Sequence, residues 1–250
     1  MDWITPDWPD APLNIGVLST TRRGGVSKAP FDDGAGGGGM NLGAWVDDCQ
    51  SDVASNRAVL QTVLPSAPAW LRQVHGAIVL DAADVDNAPE ADASFSNRTG
   101  IVCAIATADC LPVLLCDRAG RVVGAAHAGW RGLAAGVLEK TVASMRGAGA
   151  GDIVAWLGPA IGPANFEVGD DVLAAFIGRY PDALSAFMPI ADRPGKFLAD
   201  IYCLARLALT SAGIEKISGG GLCTVEDSQR FYSYRRDRIT GRMASLIWIK

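Results

Sequence analysis

An α/β fold in a single domain is the expectation for this chain, and three observations carry it. Short apolar runs of β-like character alternate with segments of helical periodicity along the whole length. Hydrophobic residues make up 49% and charged residues 20% of the chain, with no long block of like charge to mark a tail or linker. At 250 residues the chain is long enough for a well-buried core, and residues 1–250 are read as one domain.

Taken in order, Ile15–Ser19 reads as a strand that runs into a polar segment from Thr20 to Ser27. The glycine-rich residues 34–39 have no GKS or GKT ending, so they read as a mobile surface loop rather than a phosphate cradle, and they lead into Met40-Asn41-Leu42-Gly43. Residues 52–64 have helical spacing, with Val53, Leu60 and Leu64 on one face. Residues 71–80 alternate like a strand that carries His75. Residues 101–106 and 111–116 are β-like runs flanking a polar corner, Thr107-Ala108-Asp109-Cys110. A further strand is expected over residues 121–126, ending at His127, and a helix over residues 132–145, with Leu133, Val137, Leu138, Thr141 and Met145 as its inward stripe. Ile153–Leu157 reads as a short buried strand. Helices are expected over residues 172–180 and 200–212, the second capped near Asp200. The chain closes on a strand at Met243–Ile249.

The bulk chemistry narrows the function. A net charge of -5 and a pI near 5.0 argue against non-specific nucleic-acid binding, so any phosphate has to be met by a few placed arginines. The start of the chain, Met1-Asp2-Trp3-Ile4-Thr5-Pro6-Asp7, lacks the basic and apolar segments of a secretory leader. The longest apolar region, residues 101–116, is broken by Asp109 and too short to span a bilayer. A soluble, cytoplasmic protein without membrane partners is expected. Six cysteines without a CxxC pair are too sparse for a disulfide scaffold, and Cys103 and Cys116 lie in apolar runs that suit core packing.

Only two histidines occur, His75 and His127, and both sit in short polar clusters, with Cys110 in a third. Two imidazoles and a thiolate form a soft three-donor set that suits zinc first and copper after it, with a fourth position left for water or substrate. Asp109, beside the cysteine, is placed to orient a ligand or move a proton. The separations are too long for a zinc-finger pattern. The same residues could instead form a cysteine nucleophile with a histidine base, or a blue-copper centre. A multinuclear copper cluster is excluded, because two imidazoles are too few.

Four segments carry a resemblance: Arg72-Gln73-Val74-His75-Gly76; Thr107-Ala108-Asp109-Cys110-Leu111-Pro112-Val113; Ala126-His127-Ala128-Gly129-Trp130-Arg131-Gly132; and Phe231-Tyr232-Ser233-Tyr234-Arg235-Arg236 with Thr240-Gly241-Arg242. From about Gly16 onward the chain resembles the bacterial DUF152 proteins, described as polyphenol oxidoreductase laccases and as purine nucleoside phosphorylases of the laccase-domain family. The resemblance implies a single-domain α/β/β/α layered sandwich with mixed sheets, and zinc on His75, Cys110 and His127. It further implies phosphorolysis of adenosine, inosine and S-methyl-5′-thioadenosine to base and sugar 1-phosphate, with adenosine deamination besides. Residues 34–39 are longer and richer in glycine than the family's usual approach to its Asn-Leu-Gly motif.

Within this frame Cys110, Asp109 and Arg57 are the expected catalytic residues, and Asn41, Arg72 and Arg22 the expected contacts to substrate or phosphate, since a guanidinium holds phosphate oxygens in a fork. Trp130 and the Phe231 to Tyr234 cluster could stack on a base or pack in the core, and the core is the expectation. Three other roles compete: an amidase editing peptidoglycan precursors, a copper-dependent phenol oxidase, and a purely structural zinc site closed by a fourth cysteine, with Cys223 the best placed.

Overall fold

The computed structural model describes residues 3–250; Met1 and Asp2, which open the segment read for a leader, lie outside the described residues. In chain order the strands are β1 Ile15–Ser19, β2 Arg23–Ser27, β3 Pro68–Ala69, β4 Val79–Asp81, β5 Ala93–Ser96, β6 Val102–Thr107, β7 Leu111–Asp117, β8 Val123–Ala128, β9 Ile153–Leu157, β10 Glu167–Gly169, β11 Phe187–Pro189, β12 Lys196–Ala199, β13 Ile217–Gly219 and β14 Met243–Ile249. The α-helices are α1 Gln50–Gln61, α2 Trp130–Ala134, α3 Val137–Gly147, α4 Asp170–Ile177, α5 Ile201–Ser211 and α6 Tyr234–Asp237.

Three sheets organise these elements. A six-stranded mixed sheet has the order β13-β9-β7-β8-β5-β4, a four-stranded mixed sheet the order β1-β14-β6-β3, and a small antiparallel sheet the order β10-β12-β11. Period-two alternation shows how the two large sheets stack. On β7, Leu111, Val113 and Leu115 face a core built with the helices, whereas Leu114 and Cys116 face the other sheet. On β6, Cys103 and Ile105 face that same inter-sheet layer, while Val102 and Ala104 turn to a third core shared with Leu60 of α1. The result is the expected sequence of layers, helix, sheet, sheet, helix, with an apolar filling in each gap.

The helices follow from the same physics. On α3, Val137, Leu138, Thr141, Val142 and Met145 form the buried stripe. Each large side chain there contributes roughly 1.5–3 kcal/mol by leaving water. In α5 the Asp200 carboxylate accepts the Cys203 N–H at 2.9 Å, the cap expected from the sequence.

Three expectations are corrected. The helix expected over residues 132–145 is two helices, because Gly136 adopts a left-handed φ of 84° between α2 and α3. The strand expected over residues 121–126 begins only at Val123, because the Asp117 carboxylate takes the N–H groups of Arg121 and Val122, at 2.6 and 3.0 Å, and shapes a turn. Residues 71–80 are not a strand until Val79, and His75 sits in a bend with φ 60°. The cause of that bend is a carboxylate the sequence reading did not assign.

Candidate metal centre and its cavity

That carboxylate is Asp92, fully buried just ahead of β5. Its Oδ1 accepts the His75 N–H at 2.9 Å, and its Oδ2 accepts those of Gly76 and Val74 at 2.7 and 3.3 Å, winding the β3–β4 connection around one side chain. Oδ1 also lies 2.8 Å from His127 Nδ1, and the Asp92 carbonyl accepts the His127 N–H at 2.7 Å. One acid therefore positions both histidines. Burial would raise the Asp92 carboxyl, but the His127 ring and the N–H groups outweigh it and hold the group below its ordinary range.

His127 stands on β8 and points the same way as Val123 and Ala125, into the open end of the inter-sheet layer. Cys110 caps the β6–β7 corner, next to Asp109 at φ 86°. Among the described residues, His75, Cys110 and His127 form a group whose donor atoms all lie within 4.8 Å of one another. The Cys110 Sγ is 3.8 Å from His75 Nε2, and the two imidazole centroids are 4.8 Å apart. Donors on a tetrahedral zinc stand about 3.3–3.6 Å apart, so a small contraction brings these three onto one ion. Since His127 Nδ1 is engaged by Asp92, its Nε2 is the nitrogen left for metal, which is the carboxylate–histidine arrangement that orients such ligands. The donor set fits a zinc-type ion. Burial opposes charge on both Cys110 and His127. Even so, the imidazoles pull the thiol down to about 6, while the Cys110 sulfur and Asp92 push His127 up to about 9.

Gly129, the residue before α2, permits this convergence. A Cβ at that position would come within 3.0 Å of His75 Cδ2 and 3.1 Å of Cys110 Sγ. A side chain there would force His75 and Cys110 to give way by a few tenths of an ångström, so glycine spares the donors that strain.

All three donors line one cavity of about 600 Å³. Arg131, Arg235, Arg238 and Arg242 also line it, and among the described residues none of the four is ion-paired with a carboxylate. Asp109 is the one acid in the wall, and its oxygens are already engaged: Oδ1 accepts from Thr224 Oγ1 and Oδ2 from the Arg235 N–H, each at 2.6 Å. In a chain of net charge -5, this is a local field built for an anion.

The other expected site residues lie elsewhere. Arg57 gives its Nε and Nη2 to the Leu42 carbonyl at 3.0 and 2.8 Å and stacks over the Trp70 ring at 4.2 Å. Arg72 is exposed and pairs with Glu90 at 3.2 Å. Arg22 is buried against the Asp32 and Ser228 carbonyls and pairs with Asp32. Asn41 is fully buried, bonded to Asp48, to the Gly43 N–H and to the Arg242 N–H. None of these four is in the cavity wall. Cys223, the candidate fourth ligand, is outside the donor group; its Sγ accepts the Gly162 N–H at 3.2 Å. Phe231 and Tyr232 are core as expected, but Tyr234 is exposed and lines the cavity.

The layered fold and the His–Cys–His cluster in the wall of an arginine-lined cavity define an α/β protein with a donor group that could hold a metal ion. The chain belongs to the multi-copper polyphenol oxidoreductase laccase family, whose model matches residues 16–250. It is 54% identical over 248 residues to a protein of Pseudomonas aeruginosa named purine nucleoside phosphorylase, covering 99% of this chain and 98% of that one. It is 51% identical over 249 residues to an Escherichia coli protein of the same description, covering 98% of each. A crystal structure of a DUF152-family protein of Neisseria meningitidis superposes with a TM-score of 0.92 at 47% identity over the full length of both chains. No helix among the described residues is long and apolar enough to cross a membrane.

Proposed function

We propose that this chain is a zinc-dependent purine nucleoside phosphorylase that takes adenosine, inosine and S-methyl-5′-thioadenosine with inorganic phosphate, and that it also deaminates adenosine. The observation that carries this reading is the set of four arginines without carboxylate partners among the described residues, which line one cavity of about 600 Å³ with the His75, Cys110 and His127 donors. That volume suits a small polar ligand together with its anionic co-substrate. The names of the relatives support the same reaction class.

His75, Cys110 and His127 would hold the ion through Nε2, Sγ and Nε2. Bound zinc lowers the pKa of water to about 7 and so supplies a nucleophile for deamination at C6. Arg131 and Arg238 hold the phosphate oxygens, each guanidinium presenting a fork to the anion, and Arg242, whose Nη1 is given to the Thr240 and Gly241 carbonyls, adds its charge beside them. Held there, an oxygen of hydrogen phosphate forms the new bond to C1′ of the sugar as the C1′–N bond to the base breaks, and the proton that the phosphate gives up ends on the nitrogen of the departing base. Arg235 is partly committed to the carbonyls of Asn165 and Glu167 and chiefly fixes the wall. Asp109 holds α6 in place through the Arg235 N–H, while Asn41 and Arg57 brace the loop that follows β2.

A second reading, an amidase acting on peptidoglycan precursors, draws on the lowered Cys110 thiol beside two imidazoles. Incubating metal-loaded protein with inosine and phosphate, and separately with a muramyl peptide, separates the two. Phosphate-dependent formation of hypoxanthine and ribose 1-phosphate, lost together with bound zinc in Cys110→Ala, is the expected result. Amide cleavage with no phosphorolysis would sink the phosphorylase reading. Phenol oxidation by a multinuclear copper cluster is not favoured, because the chain has only two histidines.

A further inference from the structure

The cavity has a second kind of wall besides its arginines. Trp45 and Tyr234 both line it, and they are 56% and 51% exposed. A single exposed ring is ordinary, but two in the wall of one cavity offer a surface on which a flat ligand can stack. Trp45 belongs to none of the apolar cores, and its ring carries no stacked or cationic neighbour among the described residues. Trp130 in the same cavity is a useful contrast: it packs against the main core, and Arg131 lies over its ring at 4.4 Å. The Trp45 ring thus remains without a partner in the cavity wall among the described residues, while Tyr234, half in water, has only the Arg238 guanidinium 5.8 Å from its centroid.

We propose that Trp45 and Tyr234 form the platform on which the purine base stacks, with Trp45 the principal contact. The inference rests on the nucleoside reading above and names the residues that recognise the base. A purine is a flat ring with a polar edge, and its π-face suits an indole better than it suits the polar end of the cavity. Arg238 links the two regions, since its guanidinium stands 5.8 Å from the Tyr234 centroid while the same residue lines the cavity. Base and phosphate would therefore occupy neighbouring parts of one cavity, as a reaction between them at the shared sugar requires. The loop carrying Trp45 is braced on both sides. Arg57 holds the Leu42 carbonyl, and Asp48 accepts from Asn41 Nδ2 at 2.8 Å.

The test measures KM for inosine and for phosphate separately on zinc-loaded protein carrying Trp45→Ala, Trp45→Phe or Tyr234→Ala. Trp45→Ala should raise the inosine KM about tenfold or more, with phosphate KM, zinc content and kcat little changed, and Trp45→Phe should restore most of the loss. An unchanged inosine KM, or a parallel rise in both KM values, overturns the assignment. Equilibrium dialysis with free hypoxanthine keeps this separate from the reaction itself. If the wild type performs no phosphorolysis but binds hypoxanthine, and Trp45→Ala abolishes that binding, the phosphorylase reading fails and the platform stands. If a simple phenol binds as tightly as hypoxanthine and is lost in the same variant, the assignment to purines is overturned.

Discussion

Asp92 Oδ1 lies 2.8 Å from His127 Nδ1 while the same oxygen accepts the His75 N–H at 2.9 Å, so a single buried acid sets the orientation of one imidazole and the position of the other. Replacing it with Asn keeps the size and removes the charge that favours Nδ1–H on His127. Zinc affinity should fall about 10- to 100-fold, read by competition with a chelator. An unchanged affinity would show that the donor set is oriented by other contacts.

The metal-free pair has a defined pH behaviour. His127, raised from 6.5 to about 9, contributes stability that is complete below 6.5 and is lost as the pH rises through 9. Cys110, lowered from 9.0 to about 6, contributes stability that is complete above 9 and is lost as the pH falls through 6. Between roughly pH 6.5 and 9 the two slopes oppose each other. Folded and unfolded chains then hold the same number of protons at this pair, and the pair adds little slope to the denaturation midpoint. Alkylation of Cys110 sees the thiolate directly. Its rate in the metal-free protein should reach half its maximum near pH 6, and His127→Ala should move that point upward.

Arg131 and Arg238 are exposed and can be shortened without touching the core. If each supplies one charge-assisted hydrogen bond to phosphate, worth about 1.5–3 kcal/mol, alanine at either position raises the phosphate KM about tenfold or more. Arg72→Ala, outside the cavity and paired with Glu90, is the control and should leave it unchanged. Equal effects from all three would point to long-range charge rather than contact.

Gly129→Ala adds one methyl group among the donors, with contacts of 3.0 and 3.1 Å to His75 and Cys110. Overpacking of this kind costs about 1–3 kcal/mol. The strain falls on side chains that must converge, so zinc affinity should drop further than the thermal midpoint of the metal-free protein. Circular dichroism melts with and without zinc compare the two.

Much of the fold was legible because local pattern and burial agreed. Asp200 before an amphipathic run announced α5, and the alternating cores of β6 and β7 on either side of Asp109-Cys110 announced the corner. His75, Cys110 and His127 could be picked out because so few imidazoles occur in the chain. Asp92 could not, since nothing in Asp92-Ala93-Ser94 distinguishes it from a turn residue; its role exists only when the β3–β4 connection folds over it. The same connection defeated the strand reading of residues 71–80, because three captured N–H groups outweigh an alternating pattern. Among the arginines, local sequence says nothing about pairing. Arg57 stacks on Trp70, whereas Arg242 and Arg131, which stand in quoted motifs, reach the cavity.

The donors come from the ends of sheet strands and from a turn wound on a buried acid, while most of the rings and guanidinium groups around them come from a loop and from the two shortest α-helices, α2 and α6. Preference for one ligand over another can consequently drift among descendants of this scaffold without disturbing its grip on an ion. A library confined to positions 45, 131, 234 and 238 would explore new selectivities while leaving the anchoring apparatus untouched.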